Sequence, residues 1–173
     1  MKFRKRSAIS VLWSTADFPE KKPFFCQNKN TKQKIKITGN PVRNDVVDIN
    51  GKREEGFEFY ELNPTKKTIL IIGGSLGART LNQSMLSHYK TIQESDFQVL
   101  WQTGKLYFDA LTQQLGNNKD KTIKIVQFID RMDLAYAIAD VIISRAGAIS
   151  ISELCLIGKP VILVPSQIGR AHV

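Results

Sequence analysis

Short apolar runs alternate with segments of helical periodicity from residue 67 onward. Ile69, Leu70, Ile71 and Ile72 form an unbroken apolar run. Such a run is typical of a strand buried on both faces of a parallel sheet, because a strand with one wetted face alternates apolar and polar positions. Similar runs predict further strands over 97–101, 122–126, 141–143 and 159–164.

Helical periodicity fills the intervals between these runs. The apolar positions predict helices over about 76–94, 106–115, 130–139 and 149–157. Strands separated by helices of this length are joined by right-handed crossovers and lie parallel. The pattern therefore predicts an α/β fold, a Rossmann-like parallel sheet flanked by helices.

The remainder of the chain is less regular. Residues 1–34 show no sustained period and predict an irregular basic leader, and 35–37 and 38–41 predict a short strand and a turn. Residues 48–66 are polar and acidic and predict a connector with a short helix around 54–60. We therefore divide the chain into a leader (1–34), an incomplete Rossmann-like domain (35–165) and a tail (166–173).

The composition fits a soluble globular protein that we expect in the cytosol. The chain has 173 residues, of which 42% are hydrophobic, and its apolar runs are too short to span a bilayer. Its start has too brief an apolar stretch for a signal peptide. The two cysteines, Cys26 and Cys155, have no partner at metal-ligand spacing. We expect no disulfide framework, metal site or cofactor.

The positive charge lies mainly in the leader. The formal net charge is +9, and residues 1–39 hold ten basic and two acidic residues, against fifteen and fourteen in residues 40–173. A nearly neutral domain argues against nucleic-acid binding. The leader alone remains able to contact a membrane surface or RNA without sequence specificity.

A glycine turn follows the first predicted strand. Gly73, Gly74 and Gly77 permit a sharp turn and close approach of a ligand to the backbone, and Ser75 adds a hydroxyl donor. A helix starting there directs its positive end at an anion such as a phosphate. The spacing lacks the dinucleotide and P-loop signatures, so an anion site and an ordinary tight connection remain equally supported.

A second glycine turn at Gly147 repeats this arrangement before another helix. Two positive helix ends at one sheet edge favour a diphosphate ligand. Glu153 then has two interpretations. Its carboxylate can accept hydrogen bonds from a ribose diol, but Ser150 and Glu153 have capping-box spacing, and the residues alone favour the cap.

Other candidates also have ordinary alternatives. Arg43 follows a rigid Gly-Asn-Pro turn and can clamp a phosphate, as can Lys105, although an exposed surface cation is the commoner outcome. Phe128 and Ile129 end a strand, where they either form the floor beneath a planar base or cap the core.

Acid–base chemistry finds little support in this sequence. Asp130 and Asp133 stand at a helix start, where N-capping and dipole complementarity explain them. His88, predicted in mid-helix, and His172, in the tail, have no nearby Ser, Cys or Asp that would suggest a catalytic triad.

Taken together, several motifs resemble those of the MurG family of bacterial glycosyltransferases. They are T-G-N-P-V-R (38–43), G-G-S-L-G-A-R-T-L-N (73–82), Q-T-G-K (102–105), F-I-D-R-M (128–132), A-Y-A-I-A-D-V (135–141), R-A-G-A-I-S-I-S-E (145–153) and G-K-P (158–160). They occur in the family's order and spacing. The family transfers N-acetylglucosamine from UDP-N-acetylglucosamine to undecaprenyl-linked lipid I, giving lipid II for peptidoglycan synthesis.

The resemblance implies the C-terminal, donor-binding half of a GT-B glycosyltransferase. Arg43 and Ser75 would contact the donor diphosphate, Ile129 the uracil and Glu153 the ribose. For Glu153 the resemblance therefore favours the ribose contact over a role as helix cap alone. The implied nucleotide-sugar segment comprises Ala148, Ile149, Ser150, Ile151, Ser152 and Glu153, with Gly73, Gly74, Gly77 and Gly147 in support.

The sequence also departs from this family. Ala146 replaces the usual serine, no acceptor domain with its glycine-rich loop and proposed histidine base precedes residue 35, and the pattern breaks after Pro165, where Gln167 does not occupy the position of the sugar-reading glutamine. We expect a fragment that is inactive alone, with lipid I bound by the missing domain. The resemblance implies a peripheral enzyme on the cytoplasmic face of the membrane, acting in cell shape and division. The alternative is a non-catalytic nucleotide-sugar-binding subunit that needs a separate membrane acceptor chain.

Overall fold

The computed structural model describes residues 42–115 and 122–165, apart from the side chain of Asn44. The predicted leader, the short strand at 35–37, the turn at 38–41 and the predicted tail lie outside the described residues. The division of the chain into these parts stays a prediction.

Helices and strands alternate along the described ranges as the apolar pattern predicts. In chain order they are α1 (Asn44–Val47), α2 (Arg53–Tyr60), β1 (Thr68–Ile72), α3 (Arg79–Ser87), α4 (Tyr89–Gln93), β2 (Gln98–Gln102), α5 (Phe108–Leu115), β3 (Ile123–Val126), α6 (Met132–Ile138), β4 (Val141–Arg145), α7 (Ala148–Ile157) and β5 (Val161–Val164). The predicted short helix around 54–60 corresponds to α2.

The five strands form one parallel sheet in the order β3-β2-β1-β4-β5. The central strand β1 pairs with β2 on one side and β4 on the other, so that Ile72 lies opposite both Gln102 and Ser144. This arrangement confirms the predicted fold class.

Strand β1 is buried on both faces, as predicted. Leu70 and Ile72 pack in a core cluster with residues of α2, α6 and α7, whereas Ile71 packs in a second cluster with residues of α3 and α5. One face of the sheet therefore carries α2, α6 and α7, and the other carries α3, α4 and α5.

The prediction of one continuous helix over 76–94 is wrong. It starts only at Arg79 and divides into α3 and α4 at His88, which therefore does not lie in mid-helix. The Ser87 hydroxyl donates to the Gln83 carbonyl at 2.9 Å, and His88 Nδ1 lies 2.9 Å from the Ser84 carbonyl. Such local bonds compete with the backbone ladder, and the helix ends there.

Helix α6 is anchored at its N-terminus by ionic hydrogen bonds. The predicted capping by Asp130 is wrong, because Arg131 occupies the N-cap position and Met132 begins the helix. Asp133 is buried and accepts bonds from Arg131 at 2.9 and 3.0 Å and from Lys52 at 3.0 Å. These bonds, chiefly those from Arg131, hold the pKa of Asp133 well below its usual range.

The C-terminus of α6 is anchored by cations. Lys159 Nζ donates to the carbonyls of Ala137 and Ala139 at 2.7 and 2.6 Å, and Arg53 donates to Ala137 and Ile138. Burial lowers the pKa of Lys159 to about 8. The N-terminus of α6 is thus bonded to Lys52 just before α2, and its C-terminus is bonded to α2 and to the segment before β5. Among the described helices, none combines the length and the apolar character needed to cross a membrane.

Replacing Asp133 by Asn tests the N-terminal anchor of α6. The unfolded carboxyl titrates near its usual value of about 4 and the folded one lower, so its stabilisation is complete above about pH 4 and declines as the pH falls. We expect Asp133→Asn to lower the free energy of unfolding by about 2 kcal/mol at pH 7 and by less at pH 3 in urea titrations. The exposed Asp96→Asn is the control, and an equal loss at both pH values would contradict the assignment.

Candidate nucleotide-sugar site

The candidate site lies where the crossover direction of the sheet reverses. Helix α3 follows β1 onto one face, and Ala78 and Leu81 pack in the second cluster. Helix α7 follows β4 onto the other face, where Leu154 packs in the first. Because β1 and β4 are neighbours, a crevice opens between their carboxyl ends, which is the usual ligand position in such sheets.

A cavity of about 210 Å³ occupies this crevice. Its lining combines the end of β1, both glycine turns and the start of α7, namely Ile72, Gly73, Gly74, Ser144, Arg145, Ala146, Gly147 and Ser150. The structure thus brings together the two glycine turns that the sequence singled out, 74 positions apart along the chain. With Arg145 at the lining, the cavity suits an anion.

The first glycine turn is fixed from beneath by the turn after β2. A Cβ added to Gly77, whose φ is +89°, would lie 2.2 Å from the Thr103 carbonyl oxygen, and one added to Gly104 would lie 2.1 Å from the Gly77 nitrogen. The Lys105 N–H donates to the Ser75 carbonyl at 3.0 Å. Gly74 and Ser75 are left exposed at the edge of the sheet, as a phosphate-contacting turn requires.

The second glycine turn places the start of α7 earlier than predicted. Gly147 has extended geometry and is the N-cap, and within the described residues no side chain caps α7. The predicted capping box is therefore wrong. Ser150 lies inside the helix, and Glu153 lies in its second turn, not its first, where Glu153 Oε2 accepts a hydrogen bond from the Tyr136 hydroxyl at 3.2 Å.

Arg43 lies on the same side of the molecule as Glu153. The helix that it precedes, α1, packs against α6 and α7. Arg43 is exposed and forms an ion pair with Asp45. Asp45 and, more weakly, Glu153 raise the pKa of Arg43 above its usual value.

The other predicted residues differ in exposure. Ile129 is 2% exposed and packs in the first core cluster, so the residue as a whole is buried, while the neighbouring Phe128 is 53% exposed. Ala148 and Ile149 are exposed, and Ser150, Ile151, Ser152 and Glu153 are half-buried. The Lys105 side chain is exposed. Within the described ranges no cluster of His, Cys, Asp and Glu suits a metal ion.

Sequence reasoning missed two residues of this region. Arg145 lines the cavity at the end of β4, which runs two residues beyond the predicted strand. Tyr136 contacts Glu153 from α6. The sequence feature that could have identified Tyr136 is its hydroxyl within the alanine-rich stretch A-Y-A-I-A. A purely apolar residue would also fill the core at this position.

A glycine-lined cavity at the switch point of a parallel, helix-flanked sheet defines a Rossmann-like nucleotide-binding class of domain. The model of the glycosyltransferase family 28 C-terminal domain matches residues 68–173. The chain therefore belongs to glycosyltransferase family 28, and its fold is that of the C-terminal domain of a GT-B enzyme.

Known relatives match more than three quarters of the chain. The UDP-N-acetylglucosamine--N-acetylmuramyl-(pentapeptide) pyrophosphoryl-undecaprenol N-acetylglucosamine transferases of Parabacteroides distasonis and Bacteroides fragilis are 53% and 49% identical over 77% and 83% of this chain, and over 36% and 37% of their own lengths. Crystalline MurG of Acinetobacter baumannii is 30% identical with a TM-score of 0.55, over 79% of this chain and 38% of that one. The chain thus spans little more than a third of these relatives.

Substituting the first glycine turn tests its close packing. Gly74 and Gly77 both have positive φ, but a Cβ at Gly74 would have open space. We expect Gly74→Ala to cost about 1–2 kcal/mol of unfolding free energy from backbone strain alone. Gly77→Ala should cost at least ~3 kcal/mol, because a collision with the Thr103 carbonyl is added to the strain. Equal losses of unfolding free energy in the two variants, measured by chemical denaturation, would show that the turn after β1 is not packed against the turn after β2.

Proposed function

We propose that this chain is the donor-binding part of an enzyme that transfers N-acetylglucosamine from UDP-N-acetylglucosamine to undecaprenyl-linked lipid I, the step to lipid II in peptidoglycan synthesis. The family and the names of the relatives support this proposal. The observation that carries it is the cavity where both glycine turns meet between β1 and β4.

The cavity suits the diphosphate of the donor. The N-terminus of α7 lies at the crevice and directs partial positive charge toward it, and glycine lets phosphate oxygens approach the backbone. Ser75 adds an exposed hydroxyl beside Gly74, and Arg43 supplies a guanidinium on the side of α7. These groups would stabilise the charge that develops on the departing UDP.

The nucleoside would extend from the diphosphate along α7 and the segment after β3. Glu153 would accept hydrogen bonds from the ribose diol, and the segment around Ile129 would contact the uracil. Ala148, Ile149, Ser150, Ile151 and Ser152 would border the nucleotide sugar. The half-buried setting of Glu153 favours this role, because a partly desolvated carboxylate binds neutral donors more strongly than a fully hydrated one.

The acceptor side of the reaction would come from elsewhere. Transfer needs a base to take the proton of the acceptor hydroxyl. The residues that line the cavity include neither a carboxylate nor an imidazole. A separate acceptor domain would supply the base, bind lipid I and hold the enzyme at the cytoplasmic face of the membrane, where the product serves cell shape and division.

Calorimetric titration with UDP-N-acetylglucosamine tests donor binding by the 173-residue chain. Loss of one hydrogen bond to a charged group costs about 1.5–3 kcal/mol, so Ser75→Ala and Glu153→Ala should each weaken binding by about tenfold or more. Ser87→Ala and Glu94→Ala remove the same groups from exposed positions on α3 and α4 and serve as matched controls. Absence of binding, or equal losses in the controls, would refute the proposal.

The separation of donor and acceptor functions predicts the activity of the isolated chain. With UDP-N-acetylglucosamine and a soluble lipid I analogue, we expect no turnover above the uncatalysed rate, because the described residues that line the diphosphate cavity include no carboxylate or imidazole base. Release of UDP is the readout. Steady turnover by this chain alone would show that it contains the acceptor machinery.

A further inference from the structure

We propose that Tyr136 is a positioning residue that sets the Glu153 carboxylate for the ribose diol of the donor. This inference rests on the proposed function, since it assigns a task to a residue behind the nucleotide site. Tyr136 itself would not touch the ligand.

The contact between the two residues joins two helices. Tyr136 lies on α6 and is 1% exposed, and its hydroxyl donates to Glu153 Oε2 on α7 at 3.2 Å. With one carboxylate oxygen engaged from the protein interior, the other would remain for the ligand. A carboxylate held in this way can accept from a diol without first losing rotational freedom.

The hydroxyl occupies a fixed position in the structure. The Tyr136 ring packs in the first core cluster, and α6 is anchored at its N-terminus by Asp133 and at its C-terminus by Lys159 and Arg53. Burial and the neighbouring Glu153 raise the pKa of Tyr136 far above neutrality. The phenol therefore keeps its proton and remains a donor throughout the physiological range.

The contact also keeps two opposite charges apart. Arg43 precedes α1, which packs against α7, so a Glu153 carboxylate free to rotate would be attracted toward that guanidinium. Instead Arg43 pairs with Asp45, and Glu153 accepts from Tyr136. The contact with Tyr136 thus leaves the Glu153 carboxylate available to hydroxyl donors.

A purely structural role for Tyr136 makes a different prediction. If the hydroxyl only ties α6 to α7, its removal weakens all nucleotides by the same factor. If it orients Glu153, removal weakens only ligands whose ribose hydroxyls reach the carboxylate. The ratio of affinities for UDP and 2′-deoxy-UDP or 3′-deoxy-UDP separates these cases.

The test is calorimetry on the full 173-residue chain with these three nucleotides. Wild type should prefer UDP to the weaker of the two deoxy forms by about tenfold, the value of one charge-assisted hydrogen bond. In Tyr136→Phe the ratio should fall to about threefold or less, with binding of that deoxy form nearly unchanged. Tyr89→Phe removes a hydroxyl buried on the opposite face of the sheet and should keep the wild-type ratio.

A second variant serves as the test if Tyr136→Phe does not fold. Glu153→Asp leaves the core intact and withdraws the carboxylate from the Tyr136 hydroxyl, so it should lose the same preference. A wild-type ratio in either variant, or a wild type that binds UDP-N-acetylglucosamine without preferring UDP to either deoxy form, would overturn the inference while the proposed function stands. Failure of wild type to bind UDP-N-acetylglucosamine would refute the proposed function, and this inference with it.

Discussion

The pairing of β1 with β4 is the constraint on which the rest of the site depends. These strands are neighbours in the sheet, but the helices that follow them pack on opposite faces. Strands β1 and β4 are far apart in sequence, but they end side by side. The chain then leaves them toward opposite faces of the sheet, and a crevice remains between the two strand ends. Any change that displaced β4 from β1 would separate the two glycine turns and remove the cavity.

The same strand, β1, couples the site to both halves of the core. Its side chains alternate between the two clusters, and each buried apolar side chain contributes roughly 1.5–3 kcal/mol. The turn after β1 is then packed against the turn after β2, with Gly77 and Gly104 in backbone contact. The exposed part of the site, Gly74 and Ser75, is therefore a short loop on a rigid support, as preorganised recognition of a charged group requires.

The sequence was sufficient to predict the strands, their parallel arrangement and the two turns, because buried apolar runs and glycines are local signals. It was insufficient for helix boundaries. The capping box at Ser150 and Glu153 and the cap at Asp130 have good local chemistry, yet Gly147 and Arg131 occupy those N-cap positions. The lengths of the preceding strand and loop decide where each helix begins. The contact of Glu153 with Tyr136 arises from packing between helices, which no local spacing encodes.

The distribution of charge around the cavity explains why donor binding and acceptor activation lie on separate domains in the proposed reaction. Charged groups that bind a diphosphate and a ribose must not neutralise one another, and here Glu153 accepts from Tyr136 while Arg43 pairs with Asp45. A carboxylate base placed among the phosphate-binding groups would be negatively charged and would repel the donor. The acceptor hydroxyl must reach the sugar, so the base belongs on a surface that faces this cavity. A domain that stabilises the leaving group therefore requires a second domain to supply the base.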